Sequence, residues 1–125
     1  MICLDTSSLI RFFTNDDPVK AKKVKELLEK ENNIRIPEVV FPELEYVLKG
    51  AYQTPRKKIL EVFQFLISRS NCKLGSTVPP AVKLFENTNL DIADCLIVSY
   101  SLKGKLASFD RQMLAIKGVK KYWQS

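Results

Sequence analysis

The residues that could do chemistry in this sequence are its acids, because the side chain that most often moves protons is missing. There is no histidine among the 125 residues. That removes His-based general acid–base catalysis, histidine-activated nucleophiles and the common His-containing zinc sites. Chemistry must then run on carboxylates, hydroxyls, amines, or a cation held by oxygen. Of six aspartates, Asp5 and Asp110 close apolar runs, Ile2-Cys3-Leu4 and Leu106-Ala107-Ser108-Phe109. If those runs are parallel strands, both acids stand where an α/β sheet opens into its ligand crevice. The plainer reading of either one alone is a helix N-cap or a turn acid. Two such acids in one small domain weaken that reading.

The segment Asn89-Leu90-Asp91-Ile92-Ala93-Asp94 opens a helix with acids at i and i+3, which share a face, and negative charge in a first turn is favoured by the macrodipole. Asp91 therefore reads first as the cap, whereas Asp94 lies deeper in an apolar stretch. Glu43 and Glu45 both fall on a helix over 38–49, each at an edge of its apolar stripe, and periodicity does not choose between them. Several carboxylates gathered in one crevice repel unless protons or a cation neutralise them. Mg²⁺ and Mn²⁺ suit such oxygen-only sites, activate water and steady charge on a phosphoryl group. A basic, acid-lined chain without histidine fits metal-assisted phosphodiester hydrolysis better than other hydrolytic chemistry.

The elements that must position these acids follow from apolar spacing and turn residues. A helix starts near Ser7 or Ser8, capped from the Thr6-Ser7-Ser8 cluster and carrying Leu9, Ile10, Phe12 and Phe13. Asn15-Asp16-Asp17-Pro18 turns into a second helix reaching about Glu31, with Pro18 in its first turn. Ile34-Arg35-Ile36 is a short strand. The 38–49 helix carries Val40, Leu44, Val47 and Leu48 and has Gly50 at its end. A helix near 55–68 follows, then a short strand at Cys72-Lys73-Leu74 and a helix from Val78 to Asn87. The Asp91–Leu102 helix ends at Lys103-Gly104, with Gly104 suited to the C′ position. Leu106–Phe109 reads as a buried strand, followed by a short helix and a last strand near Lys120–Trp123. Strands alternating with helices imply an α/β fold, a helix-rich three-layer α/β/α sandwich on a short parallel sheet, formed by a single domain over 1–125.

The totals agree. The chain is long enough to bury a core without staples, and no apolar run reaches the roughly 18 residues of a membrane span. The N-terminus lacks the pattern of a signal peptide, so a cytoplasmic protein is expected. Cys3, Cys72 and Cys95 form neither a metal pair nor a disulfide framework, and Cys3 and Cys95 read as small buried hydrophobes. A net charge of +6 and a pI near 9.3 suit a polyanionic partner. The cations are spread along the chain at Lys20, Lys22, Lys23 and Lys25, then Arg56, Lys57 and Lys58, then Lys117, Lys120 and Lys121. Charge alone cannot tell such a partner from an ordinary solvated surface.

Taken together, the residues resemble those of the PIN-domain nucleases, and in size those of the VapC-type toxins of toxin–antitoxin pairs. Ile2-Cys3-Leu4-Asp5-Thr6-Ser7-Ser8-Leu9-Ile10 resembles the family's opening motif. Val40-Phe41-Pro42-Glu43-Leu44-Glu45 resembles its second and puts the family glutamate on Glu43. Leu90-Asp91-Ile92-Ala93-Asp94-Cys95 resembles its third, with Asp94 as principal acid and Asp91 as companion. Leu106-Ala107-Ser108-Phe109-Asp110 resembles its last, with Ser108 where threonine is usual. One departure is Ser7, where the family has asparagine.

The resemblance implies an endoribonuclease dependent on Mg²⁺ or Mn²⁺. Asp5, Glu43, Asp94 and Asp110 would be both catalytic and metal-holding, and Thr6, Asp91 and Ser108 would support them. It implies an RNA substrate, a homodimer, and a small antitoxin over an apolar groove that Phe12, Phe13, Phe41, Tyr46 and Tyr52 could line. A housekeeping nuclease of the same fold, or an inactive scaffold, would carry the same motifs. A haloacid-dehalogenase-type phosphatase would need a second aspartate two residues after Asp5. A phospho-receiver would need one after a middle strand, and none occurs between Asp17 and Asp91.

Overall fold

The computed structural model describes residues 1–124. They fall into two compact units, one spanning Met1–Gly75 and a second from Ser76 onward.

The first unit is built on a parallel sheet of three two-residue strands, β1 (Ile2–Cys3), β2 (Ile34–Arg35) and β3 (Cys72–Lys73), in that spatial order. Ile2 pairs with Ile34, and Ile34 with Cys72. Parallel neighbours need crossover connections, and helices supply them. Between β1 and β2 run α1 (Thr6–Thr14) and α2 (Pro18–Lys30), and between β2 and β3 run α3 (Val40–Gly50) and α4 (Arg56–Ser68). Each helix turns an apolar stripe inward: Leu9 and Ile10 from α1, Val24 and Leu28 from α2, Phe41, Leu44 and Leu48 from α3, Ile59, Phe63 and Leu66 from α4. Phe41 and Phe63 meet with ring centroids 5.4 Å apart, fastening α3 to α4.

The second unit holds α5 (Val78–Asn87), α6 (Ile92–Ser101) and the single turn α7 (Arg111–Leu114). Val78, Ala81, Val82 and Phe85 of α5 and Ile92, Cys95 and Val98 of α6 are buried. Ser99 of α6 donates its hydroxyl to the Thr77 carbonyl at 3.1 Å, which ties α6 to the start of α5.

The helix-rich α/β reading and the parallel sheet hold, and four local expectations need correction. The α1 cap is Asp5 itself, whose side chain accepts from Ser8 N, and not a residue of the Thr6-Ser7-Ser8 cluster. Cys3 is exposed, because successive side chains of an extended segment face opposite sides and the neighbouring Leu4 is the one turned into the core, whereas Cys95 is buried. Leu106–Phe109 and Lys120–Trp123 form no extended strands; a single parallel bridge joins Leu106 to Lys121. α6 closes through Leu102 in right-handed conformation, with Gly104 N–H donating to Ser101 O. The glycine with positive φ is Gly118, at 94°. Among the described residues no helix is long and apolar enough to cross a membrane.

Candidate active site

Each unit presents its own set of acids, and capping explains where most of them stand. In the first unit Asp5 follows β1 with extended backbone, φ −97° and ψ 173°, and receives the first free amide of α1, Ser8 N at 2.9 Å. The Ser7 hydroxyl donates to both carboxylate oxygens at 3.0 Å. Those donors, the Ser8 amide foremost, hold the Asp5 carboxyl below its ordinary value. It is therefore fixed as an anion, with an orientation set by the helix it caps.

Glu43 sits in the first turn of α3 and is exposed, while Glu45, two residues on, is only 7% exposed. The helix thus exposes one glutamate and buries the other. The Thr6 hydroxyl donates to Glu43 Oε1, which joins the start of α1 to the start of α3. Asp5, Thr6 and Glu43 together line one end of an open groove of about 860 Å³. Its walls include Ile10, Pro42, Val47, Tyr46 and Tyr52, so it is mostly apolar away from the acids.

The same groove contains a polar link absent from the sequence-based set. Arg11 Nη1 bonds Asp16 Oδ2 at 2.9 Å, and the Tyr52 hydroxyl donates to that same oxygen at 2.5 Å. Asp16 is held below its ordinary value, first by the Tyr52 hydrogen bond, and Tyr52 is raised in turn by Asp16. Helical spacing places Arg11 one turn past Ser7 on α1, a cue available in the sequence. Contact between Asp16 and Tyr52, 36 residues apart, has no local signature. A smaller recess lined by Ser7, Ser8, Arg11, Lys20 and Lys23 lies beside α1 and collects three cations. Of the aromatics expected along the groove, Tyr46 and Tyr52 line it, but Phe41 is fully buried in the core. Phe12 and Phe13 pack instead against Phe65 of α4, with centroids 5.7 Å away.

In the second unit Asp91 caps α6, its Oδ1 accepting Asp94 N at 2.9 Å, and Asp110 caps α7, its Oδ1 accepting Met113 N at 3.0 Å. The Ser108 hydroxyl accepts the Asp110 amide at 2.9 Å, fixing the backbone just before that cap. Asp94 caps nothing. It is half-buried, and burial first, then the negative charges of Asp91 and Asp110, push its carboxyl above the ordinary range. A carboxylate held against its preference by burial and by two like charges is a position where a cation would be welcome.

Within neither unit do three or more Asp, Glu or Cys side chains stand close enough to hold a metal among the described residues. Hard oxygen donors are what the site offers: exposed carboxylates with hydroxyls beside them. That set suits Mg²⁺ or Mn²⁺, which take one or two carboxylates and keep their waters, and does not suit a softer metal.

Because three of the acids are caps, charge and fold can be separated. Asparagine caps as well as aspartate, whereas alanine at a cap costs about 1 kcal/mol. At neutral pH Asp5→Asn is therefore expected to unfold below the wild-type Tm only by the share its ionised carboxylate contributes, and Asp5→Ala lower still, as read by thermal denaturation. Equal losses in both would mean that the charge, not the cap bond, holds α1.

The family model of the PIN domain matches residues 2–119. The VapC ribonuclease of Aquifex aeolicus (strain VF5) is 30% identical over 139 aligned positions, covering 100% of this chain and 100% of that protein. No solved structure gives a significant match.

Proposed function

As the chain belongs to the PIN domain family, we propose that it is an endoribonuclease that hydrolyses RNA phosphodiester bonds with a divalent cation, the two units working as one domain over 1–125. The observation that carries this reading is the state of the acids. Asp5 is locked as an anion by its helix cap, Glu43 is turned outward beside it, and Asp94 is crowded by Asp91 and Asp110. The burial and crowding of Asp94 cost stability in a merely structural protein and are eased once a cation is bound.

Asp5, Glu43, Asp94 and Asp110 would hold Mg²⁺ or Mn²⁺, directly or through water. When bound, the ion supplies an activated water for in-line displacement and offsets charge on the phosphoryl oxygens. The chain's own residues do the rest. Ser7 and the Ser8 amide orient Asp5, and the Thr6 hydroxyl holds Glu43 at the groove. Asp91 fixes the first turn of α6 that carries Asp94, and Ser108 sets the backbone before Asp110. Arg11, Lys20 and Lys23 would take backbone phosphates, which positions RNA without reading its bases.

Ser7 stands where the family has asparagine, yet its hydroxyl reaches both oxygens of Asp5. The departure therefore keeps a donor on the acid, which favours an active nuclease over an inactive scaffold. The toxin reading rests on the VapC relative and on the groove, whose apolar wall with Tyr46, 82% exposed, would suit an apolar segment of a small antitoxin. In that reading the protein is a cytoplasmic homodimer that the antitoxin silences. Expression in a bacterial host tests it: growth should arrest with the wild type and continue with Asp5→Asn. Normal growth with abundant active wild-type enzyme would favour a housekeeping nuclease.

A further inference from the structure

The chain spanning Leu102–Gln124 carries a feature that no catalytic role absorbs. Phe109 is 85% exposed, yet its ring lies flat against Trp123, with centroids 4.8 Å apart and planes 8° from parallel. Tyr122 meets the same indole edge-on at 5.4 Å. The Leu106–Lys121 bridge supports the pair: Leu106 N–H donates to Lys120 O at 2.7 Å, and Tyr122 N–H donates to Leu106 O at 2.9 Å. The two segments are thereby laid side by side, and their aromatic residues are presented outward.

The surroundings select the occupant. Lys103, Lys105, Arg111, Lys117, Lys120 and Lys121 are all exposed on this stretch, against the single acid Asp110. Lysine is depleted at the centres of protein–protein interfaces. Aromatic faces set among cations are instead how proteins hold single-stranded nucleic acid, with bases on the rings and phosphates on the charges. We propose that the Phe109–Trp123 stack is a nucleobase platform, on which one unpaired base of the RNA substrate stacks while the flanking lysines take its phosphates. The platform rests on the nuclease reading for its substrate and deepens it. Phe109 directly precedes Asp110, so a base stacked there would register the strand against that acid. A base in an unstacked single strand offers an open face, whereas one inside a duplex is covered by its stacked neighbours, so the platform selects single-stranded RNA.

Trp123 is the only tryptophan of the chain, so its emission reports on the platform. In EDTA, where no cleavage occurs, a short oligouridylate should quench that emission to saturation. An abasic ribose-phosphate oligomer of equal phosphate count should bind about tenfold more weakly and leave the emission unchanged. By anisotropy of a labelled oligouridylate, Phe109→Ala should weaken binding about tenfold and Phe109→Tyr should restore it. Affinity for inorganic polyphosphate should be unchanged in both variants. With Mg²⁺ present, Phe109→Ala should raise KM and spare kcat.

Equal quenching by the abasic oligomer, or unchanged affinity in Phe109→Ala, would overturn the platform. So would a wild-type self-association that sedimentation shows and Phe109→Ala abolishes, since the patch would then be an interface between copies. The two readings fail separately. Quenching by oligouridylate without cleavage of any RNA removes the nuclease and keeps the platform, whereas cleavage with kinetics identical in Phe109→Ala removes the platform and keeps the nuclease.

Discussion

Asp94→Asn is expected to abolish RNA cleavage while making the protein more stable at neutral pH in the absence of divalent ions. The activity loss should exceed the roughly 10–100-fold typical of losing an outer-shell partner of a metal site, because Asp94 would hold the ion itself. The stability gain follows from its raised carboxyl, a consequence of burial and of Asp91 and Asp110. The fold favours the protonated form. Its contribution to stability is thus complete below the ordinary value of 3.8 and is lost as pH rises through the raised one. At neutral pH the wild type carries an anion that its surroundings resist, and asparagine removes it without changing shape. Thermal denaturation across pH should show the variant above the wild type near neutrality, with the gap closing as pH falls toward 3.8. Asp5 has the opposite sign: its lowered carboxyl contributes stability above 3.8 that is lost as pH falls through the depressed value. Mg²⁺ should raise the wild-type Tm, as any ligand specific to the folded state does, and leave the variant's Tm unmoved. A variant less stable than the wild type at neutral pH would show that Asp94 serves structure.

The second large effect lies in the core of the first unit. Phe41 is fully buried, packs on Phe63 and sits two residues before Glu43 on α3. Phe41→Ala should destabilise the protein by about 3–5 kcal/mol, the usual result of truncating a buried phenylalanine. A domain with roughly 5–15 kcal/mol in total could then be largely unfolded on warming. Urea denaturation measures the loss directly. Phe41→Leu keeps most of the volume and should cost far less. If Phe41→Ala lost under about 1 kcal/mol, the α3–α4 seam would be looser than its packing implies.

These two residues show what the sequence makes legible and what it does not. The stripes of α2, α3 and α4 announce their buried faces, since a period of 3.6 is a direct image of which side meets the core. Phe41 is harder to place, because a run such as Val39-Val40-Phe41 fits a core or a groove until the crossing helix is known. The capping acids Asp5, Asp91 and Asp110 are legible as positions but not as roles: a cap and a metal ligand want the same residue at the same helix start. Glu43 and Glu45 separate only once α3 is laid on its neighbours, which buries one and exposes the other.

Cys3 and Phe109 fail for a shared reason. Short apolar runs signal burial only if another layer covers them. At β1 the core takes Leu4 and leaves Cys3 outside, and the run ending at Phe109 pairs through a single bridge. The Arg11–Asp16–Tyr52 link depends on a tertiary approach that no spacing encodes.

Cleavage of an unstructured RNA, with Mg²⁺ and with EDTA, by wild type and by Asp94→Asn purified in parallel, tests the central claim most directly. Cleavage by the wild type in Mg²⁺ alone, lost both on chelation and in the variant, is the predicted result. Cleavage that survives EDTA, or that Asp94→Asn retains in full, would contradict it.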